Sequence, residues 1–423
     1  MAADPVSRPG QLQMRDIAFA AQILHLKELN QNDTSFNRTA VKEHLKFLLP
    51  KIAVSRLSEF RQNLKRAKIV EASGLLDPGR GERTFLMAVG PAFDQTRPDA
   101  MMTCRMGYCR AFEMLGIPYR LVDVRDVAQI ARQVPSPFIM YFAGDISFLP
   151  GNQISFLRTI PSAIWVYPWF EGSHNFFLSR GLNPETWTLT RAVVSKVLAL
   201  EPRFGFTSTV RSGLDFFESW ERSGLRVHSY PLACDTFVYK PDVPTIDDFV
   251  GVELAFVGGY WQSKGVQIDA YLRPFEDRLR VYGYSPWPYR GYSGLLNTEQ
   301  EASLYRQARV CPVVNEPTVA LLKGQINERV FKVFGSGGCA VVDAVPAYRE
   351  LFSEDELLIA ENPSHFGELI RFLLSDKEMN NTYRARGLAA TLARHTYVHR
   401  AKEMLRNLGL KAYSTKGEAQ LLN

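Results

Sequence analysis

Two glycines and a lysine follow a short apolar run in the second half of the chain. The run ends at Gly258 and Gly259, and Lys264 lies five residues further on. Glycines at a strand end let backbone N–H groups approach a ligand, and a following helix N-terminus adds partial positive charge. With the Lys264 ammonium group, this pattern favours a diphosphate site, although Gly-Gly is also an ordinary tight turn. The spacing is neither GxGxxG nor GxxxxGK[ST], which argues against nicotinamide enzymes and P-loop ATPases.

A second group of polar and charged residues precedes the glycine-rich sequence GSGG. Asn327, Glu328, Arg329 and Lys332 lie at or near the first turns of a helix predicted at 325–335. Cationic side chains beside the free backbone donors of a helix start make a good diphosphate clamp. The same charges also suit an ordinary surface helix, so the residues alone leave both interpretations open.

Short apolar strands alternate with helices along most of the chain. Strands are predicted at 84–90, 119–123, 138–142, 163–167, 204–208, 254–259, 279–283, 310–314 and 340–343. Helices are predicted at 100–115, 124–133, 266–277, 298–307, 325–335, 363–375, 378–394 and 396–408. Strands that alternate with helices indicate βαβ units and parallel sheets.

The alternation restarts after a proline-rich linker at 240–244, which predicts two domains. The expected fold is α/β, with two tandem Rossmann-like doubly wound domains and a helical N-terminal extension. The extension covers 1–80, the first Rossmann-like domain 81–240, and the second, with its closing helices, 241–423. In such pairs, ligands bind in the cleft at the carboxyl ends of the strands.

The positive charge of the chain is concentrated near its start. Of the net charge of +6, residues 1–80 contribute most, with 13 Lys and Arg against 8 Asp and Glu. Helical spacing places Arg61, Lys65 and Lys68 on one face. That face could dock an anionic acceptor or nucleic acid, or it could be an ordinary solvated helix face.

Composition narrows the class and location of the protein. With 46% apolar and 22% charged residues, the chain is globular rather than fibrous or disordered. The longest uncharged apolar run, at 163–170, is too short to span a bilayer, so no transmembrane segment is expected. The N-terminus has no apolar signal region, and five scattered cysteines make no disulfide framework. We therefore expect a cytoplasmic location.

Five short segments, in order, resemble GT-B glycosyltransferases, most closely the CgeB-like branch of glycosyltransferase group 1. They are PLACD with YKP at 231–241, FVGG at 256–259, YGYSPW at 282–287, ERVF with GG at 328–338, and HTYVHR at 395–400. The resemblance covers about 228–408 by these motifs and 84–227 by architecture alone. It implies a GT-B fold and transfer of a sugar from a nucleotide diphosphate sugar to a hydroxyl acceptor.

The resemblance also implies where the nucleotide sugar binds. The expected donor site consists of Gly258, Gly259, Lys264, Asn327, Glu328, Arg329 and Lys332 around the diphosphate, with Tyr284 and Trp287 bordering the base. These cations and a helix N-terminus would stabilise the leaving group, so neither a metal nor another cofactor is expected. One departure stands out, because the two glutamates of many retaining relatives fall at Gly324 and Lys332 here.

In this fold class the N-terminal domain binds the acceptor, so a general base should follow one of its strands. The best candidates are Glu171 and His174, three residues apart in WVYPWFEGSH at 165–174. Glu171 could equally be a solvated side chain, and His174 could equally cap a turn. Asp145 and the glycine of the 89–91 loop are further candidates, each after another predicted strand.

Three functions agree with these features. The first is a metal-independent glycosyltransferase of the hexosyltransferase type that acts on a glycan, a protein or another large acceptor. The second is a non-catalytic binding or structural protein with a decayed donor site, which the missing glutamates favour. The third is a glycosyltransferase that acts on modified bases in DNA, which the basic segment at 1–80 would permit.

Overall fold

The computed structural model describes residues 83–93, 100–170, 172–179 and 189–410. The extension predicted at 1–80, with its basic face, lies outside the described residues, and so does Glu171.

The first domain is built on a six-stranded parallel sheet with the order β2-β1-β3-β4-β5-β6. Its strands are β1 (Thr84–Val89), β2 (Tyr119–Asp123), β3 (Pro137–Phe142), β4 (Ser162–Trp165), β5 (Phe204–Thr207) and β6 (Val227–Ser229). Its helices are α1 (Ala100–Met114), α2 (Val127–Ala131), α3 (Ile154–Leu157), α4 (Ser173–Leu178), α5 (Arg191–Ala199) and α6 (Glu218–Arg222). Turns of 3₁₀ helix lie at Ala143–Phe148, Gly151–Gln153 and Arg211–Phe217.

Strand β1 shows why this sequence forms a central parallel strand. All six residues of TFLMAV are buried. Because side chains alternate along a strand, Phe85 and Met87 enter the core on one side of the sheet and Leu86 and Ala88 the core on the other. A strand covered on both faces reads as a continuous apolar run, which is the signal in the sequence.

The second domain has the same winding. Its strands are β7 (Leu254–Val257), β8 (Leu279–Tyr282), β9 (Cys311–Val313), β10 (Ala340–Val342) and β11 (Leu358–Ile359). Strands β7 and β8 pair, β9, β10 and β11 form a second group, and a bridge between Leu254 and Val310 joins the two. The helices are α7 (Gln262–Leu272), α8 (Thr298–Gln307), α9 (Pro317–Leu321), α10 (Arg329–Gly335), α11 (Pro363–Ser375) and α12 (Lys377–Arg394), and 3₁₀ turns lie at Asp247–Phe249, Arg273–Arg278 and Pro346–Glu350.

Each sheet has a topological switch point, where the chain reverses its direction of winding. In the first sheet it lies between β1 and β3, and in the second between β7 and β9. In open α/β sheets, the loops at the carboxyl ends of these two strands diverge and leave a crevice for a ligand. The two switch points are therefore where the fold itself places binding sites.

The chain passes between the domains twice. The linkers meet at Cys234, whose N–H donates to His395 O at 2.8 Å. The last helix, α13 (Tyr397–Asn407), then packs on α1 of the first domain rather than on the second domain with which it was predicted. Loops at the strand ends also touch, because Val210 N donates to Gly324 O at 2.8 Å.

The fold class predicted from the sequence is confirmed over the described residues. The nine predicted strands are present, and two short ones, β6 and β11, were not predicted. Of the described helices, none is both long enough and apolar enough to cross a lipid bilayer.

Candidate active site

The loops that follow β7 and β8 pack closely against each other at Gly258 and Gly283. A Cβ atom at Gly283 would lie 2.0 Å from the carbonyl oxygen of Gly258, so only glycine fits there. The same carbonyl oxygen accepts a hydrogen bond from Trp287 Nε1 at 3.0 Å. Trp287 is buried against Phe256 and Tyr260. It therefore supports the glycine loop from behind, whereas the sequence suggested that it borders a base.

Arg329 spans the switch point of the second sheet. It opens α10, and its Nε donates to Val257 O at 2.7 Å while its Nη1 donates to Val314 O at 3.2 Å. The guanidinium group also stacks 4.2 Å from the ring centroid of Phe256. Since Val257 ends β7 and Val314 follows β9, the charge is fixed between the two strand ends.

The charge of Arg329 is buried, with the residue 6% exposed. Among the described residues, no carboxylate forms an ion pair with it. A Cβ atom at Gly258 would lie 2.7 Å from Nη2, so the glycine leaves the space that this nitrogen faces. A buried cation is costly without a counter-charge. The arrangement thus suits a bound anion.

Lys264 lies close to Arg329 but already has a partner. Its Nζ donates to Glu316 Oε1 at 2.5 Å and lies 4.4 Å from the ring centroid of Trp261. Burial lowers the pKa of Lys264 and the Arg329 charge lowers it further, while Glu316 opposes both. Lys264 can therefore bind a diphosphate only in competition with Glu316.

Two partly exposed aromatic side chains flank Gly259. A Cβ atom there would lie 2.8 Å from the Trp261 ring and 2.9 Å from the Tyr284 hydroxyl oxygen. Trp261 is 41% and Tyr284 42% exposed. Aromatic faces of this kind can stack on a planar base or on a sugar ring. Tyr284 was predicted to border the base, whereas Trp261 was not singled out in the sequence.

Glu328, which directly precedes α10, and Lys332, on α10, are both buried. Lys332 Nζ is 2.7 Å from Glu328 Oε1 and 3.7 Å from Glu301 Oε1. Burial raises the pKa of Glu328, and its second carboxylate oxygen has no hydrogen-bond partner in the structure. This placement corrects the expectation that Lys332 contacts a diphosphate, because two carboxylates already neutralise it. Asn327 has a supporting role, as its Oδ1 accepts from Arg329 N at 2.9 Å.

A polar network holds the ends of β9 and β10 and was not predicted. Asp343 accepts hydrogen bonds from Asn315 N at 2.8 Å, Asn315 Nδ2 at 2.5 Å and Gln267 Nε2 at 3.2 Å. Burial raises the pKa of Asp343 to about 6, against these hydrogen bonds and the Arg329 charge. The available signal was an Asn and an Asp directly after two buried strands.

Of the acid–base candidates of the first domain, His174 and Asp145 lie within the described residues. His174 is exposed on the first turn of α4, and Glu171 lies outside the described residues. Asp145 instead lies at the switch point of the first sheet, where its Oδ2 accepts from Arg105 Nη2 at 2.5 Å. A Cβ atom at Gly90, after β1, would lie 2.5 Å from Asp145 Oδ1. The structure thus joins two places that the sequence suggested separately.

Within the described ranges, no group of three or more His, Cys, Asp and Glu side chains is arranged to hold a metal ion.

Residues 267–406 match the model of a family described as glycosyl transferase-like. The fold is similar to sucrose-phosphate synthase from Thermosynechococcus elongatus (TM-score 0.55, 10% identity, 77% of this chain and 99% of that chain). It is also similar to Anabaena HepE in complex with UDP and glucose (TM-score 0.52, 12% identity, 77% and 99%). A third similar structure is a DNA-modifying β-glucosyltransferase studied with uridine diphosphoglucose (TM-score 0.50, 8% identity, 78% and 100%).

No curated protein matches the chain. At these identities the structural likeness establishes architecture. The described part of the chain therefore has the GT-B fold, and its second domain carries the match to the glycosyl transferase-like family.

Proposed function

We propose that this protein is a glycosyltransferase that moves a sugar from a nucleotide diphosphate sugar to a hydroxyl acceptor. The observation that carries the proposal is Arg329, a buried guanidinium group fixed at the switch point between β7 and β9. The family match over 267–406 and the GT-B fold support it. Similar structures include one bound to UDP and glucose and one whose substrate is uridine diphosphoglucose.

In the proposed reaction the diphosphate lies against the Gly258–Gly259 loop. Arg329 faces it through Nη2, and Lys264 joins when the diphosphate displaces Glu316. The acceptor oxygen bonds to the anomeric carbon as the bond from that carbon to the diphosphate oxygen breaks. The departing electron pair resides on the diphosphate, where the fixed positive charge stabilises it. Because Arg329 supplies this charge, we propose that no metal or other cofactor is required.

Several finer assignments belong to the same proposal. The five ordered sequence segments support the CgeB-like branch. The acceptor would bind the first domain, for which the sequence alone suggested Glu171 or His174 as the base. All five cysteines are free and buried, which supports a reducing, cytoplasmic compartment. An anionic acceptor or nucleic acid would meet the basic segment at 1–80, outside the described residues.

The test is nucleotide binding by Arg329→Ala, measured calorimetrically with UDP, GDP and dTDP in the presence of EDTA. A charge-assisted contact contributes about 1.5–3 kcal/mol, so affinity should fall by roughly 10- to 100-fold. The matched control is Arg290→Ala, which removes an arginine whose side chain is 86% exposed in the same domain. Its affinity should equal that of the parent.

Two results would contradict the proposal. Unchanged affinity in Arg329→Ala, with a parent-like melting temperature, would show that the clamp is elsewhere. A parent protein that binds none of the three nucleotides, with or without Mg²⁺, would favour a non-catalytic binding or structural protein.

A further inference from the structure

The switch point of the first sheet holds a carboxylate that no established role requires. Asp145 lies in the 3₁₀ turn Ala143–Phe148 that directly follows β3. The Gly90 loop, at the end of β1, approaches it so closely that a Cβ atom at Gly90 would lie 2.5 Å from Oδ1. A backbone hydrogen bond from Gly90 favours the ionised carboxylate. The fold thus fixes Asp145 where the first and third strands diverge.

Arg105 holds the other oxygen of this carboxylate. Its Nη2 is 2.5 Å from Asp145 Oδ2, and its guanidinium group lies 4.1 Å from the ring centroid of Phe142 and 5.0 Å from that of Phe93. The arginine is therefore packed into one orientation. Asp145 keeps a solvent-facing part, since its side chain is 19% exposed. A carboxylate fixed on one side and open on the other is suited to accept a proton.

Helix α1, which carries Arg105, lies against the segments that connect the two domains, because Arg110 forms an ion pair with Asp235 and a Cβ atom at Gly107 would lie 2.3 Å from the Tyr397 ring. Burial raises the pKa of Cys104, the residue before Arg105, to about 12, and the charge of Glu328 adds to this rise. Glu328 immediately precedes Arg329 at the start of α10. The N-terminal half of α1 therefore lies within electrostatic range of the element that carries the proposed diphosphate clamp.

We infer that Asp145 is the general base that removes the proton from the acceptor hydroxyl group. This inference rests on the proposed function. The acceptor O–H bond breaks and its proton moves to a carboxylate oxygen of Asp145, while the acceptor oxygen bonds to the anomeric carbon. The bond from that carbon to the diphosphate breaks, and its electron pair leaves with the nucleotide diphosphate. Arg105 is a positioning residue, because it acts through Asp145.

Within the described residues, the charged and titratable groups that face Asp145 are Arg105 from α1, Tyr167 from the loop after β4 and Asp123 at the end of β2. Burial raises the pKa of Asp145, Arg105 lowers it, and Asp123 raises it. Since the base must be ionised, turnover should fall as pH falls through this pKa. Removing the Arg105 charge should raise the pKa and move that acidic limb to higher pH.

The experiment measures hydrolysis of the nucleotide sugar, in which water takes the place of the acceptor. UDP-glucose, GDP-mannose and dTDP-glucose are tested with the parent, and the fastest donor is kept. Asp145→Asn preserves the shape of the side chain and should lower turnover about 100-fold or more. Affinity for the nucleotide should stay at the parent value, because the diphosphate residues lie in the other domain. The control is Asp215→Asn, an exposed carboxylate of the first domain.

Further variants separate a base from a structural brace. Arg105→Gln should shift the acidic limb to higher pH, an effect that a brace would not produce. The inference is overturned if Asp145→Asn hydrolyses the donor like the parent, or if Glu171→Gln or His174→Asn alone abolishes turnover. A parent that binds nucleotide and turns over no donor would overturn the proposed function together with this inference.

Discussion

Arg329 and Lys264 are two buried cations of one site that differ in how freely they can bind an anionic ligand. Arg329 is tied to main-chain carbonyl groups of two strand ends, which carry no net charge. Lys264 is tied to a carboxylate, that of Glu316, which directly precedes α9. A dianionic or trianionic ligand gains from the first residue without competition, whereas it must replace an existing ion pair at the second.

Replacing Glu316 should therefore strengthen nucleotide binding. In Glu316→Gln, the lysine loses its competing carboxylate and the diphosphate loses a neighbouring negative charge. We expect the affinity for the best-bound nucleotide to rise about tenfold, equivalent to about 1.4 kcal/mol. Calorimetric titration measures this change, and Lys264→Met should change affinity in the opposite direction. Weaker binding by a folded Glu316→Gln variant would show that the ion pair serves only to hold the loop before α9.

At the scale of elements, the sequence predicts best where local pattern and tertiary role agree. Helices α8 and α11 have the predicted bounds, and Asn297 and Asn362 fix their starts as N-caps with side-chain hydrogen bonds. The predicted strands are short, mostly apolar runs. Strand β6 has the sequence VHS and β11 has only two residues, and both lie at sheet edges and are partly exposed, so neither gives the buried apolar run that marks the other strands.

In the candidate site, too, the residues with a local sequence signal could be predicted, and those that depend on long-range contacts could not. The Gly258 loop and Arg329 carry local signals, a strand that ends in glycine and a cation at a helix start. Asp145 becomes a candidate base only through its contacts with Arg105, 40 residues away in the chain, and with Gly90. Gly90 follows β1, whereas Asp145 follows β3, so these strands are not consecutive in the sequence. Such long-range pairings follow from strand order, which the sequence pattern does not specify.

His395, between α12 and α13, gives an element-scale prediction for pH. Burial lowers its pKa from 6.5 to about 4, beside the rings of Phe331 and Phe352. The native state therefore keeps His395 neutral, while the unfolded state binds a proton below about pH 6.5. Stability from this residue is present above pH 6.5 and is lost as pH falls toward 4, by on the order of 3 kcal/mol.

Urea unfolding of the parent and of His395→Gln at pH 7 and pH 4.5 measures that loss. The difference between the two free energies of unfolding should shrink at the lower pH, because glutamine does not titrate. His174→Gln, at an exposed position, should keep the parent pH dependence. If the free energy of unfolding changes with pH equally in His395→Gln and in the parent, the histidine does not take up a proton on unfolding.

At the scale of the whole molecule, the two domains share a chain path and a core. The linkers pair at Cys234 and Thr396, and Arg400 of α13 donates to Pro231 O at 2.8 Å. Tyr397 belongs to the same core cluster as the β1 residues Phe85 and Met87. Helix α13, which follows the second domain in the chain, thus packs in the core of the first domain, so the two domains are expected to unfold together.

Gly107 is the point at which this return can be tested. It lies on α1, and a Cβ atom there would be 2.3 Å from the Tyr397 ring. Gly107→Ala should therefore destabilise the protein by about 1–3 kcal/mol through overpacking, measured by urea unfolding. Gly151→Ala is the matched control, because a Cβ atom there meets nothing within 4 Å. Combining Gly107→Ala with Tyr397→Leu should cost less than the sum of the two single changes, since the smaller side chain makes room for the methyl group. Strictly additive costs, or a Gly107→Ala variant as stable as Gly151→Ala, would mean that α13 does not pack on α1.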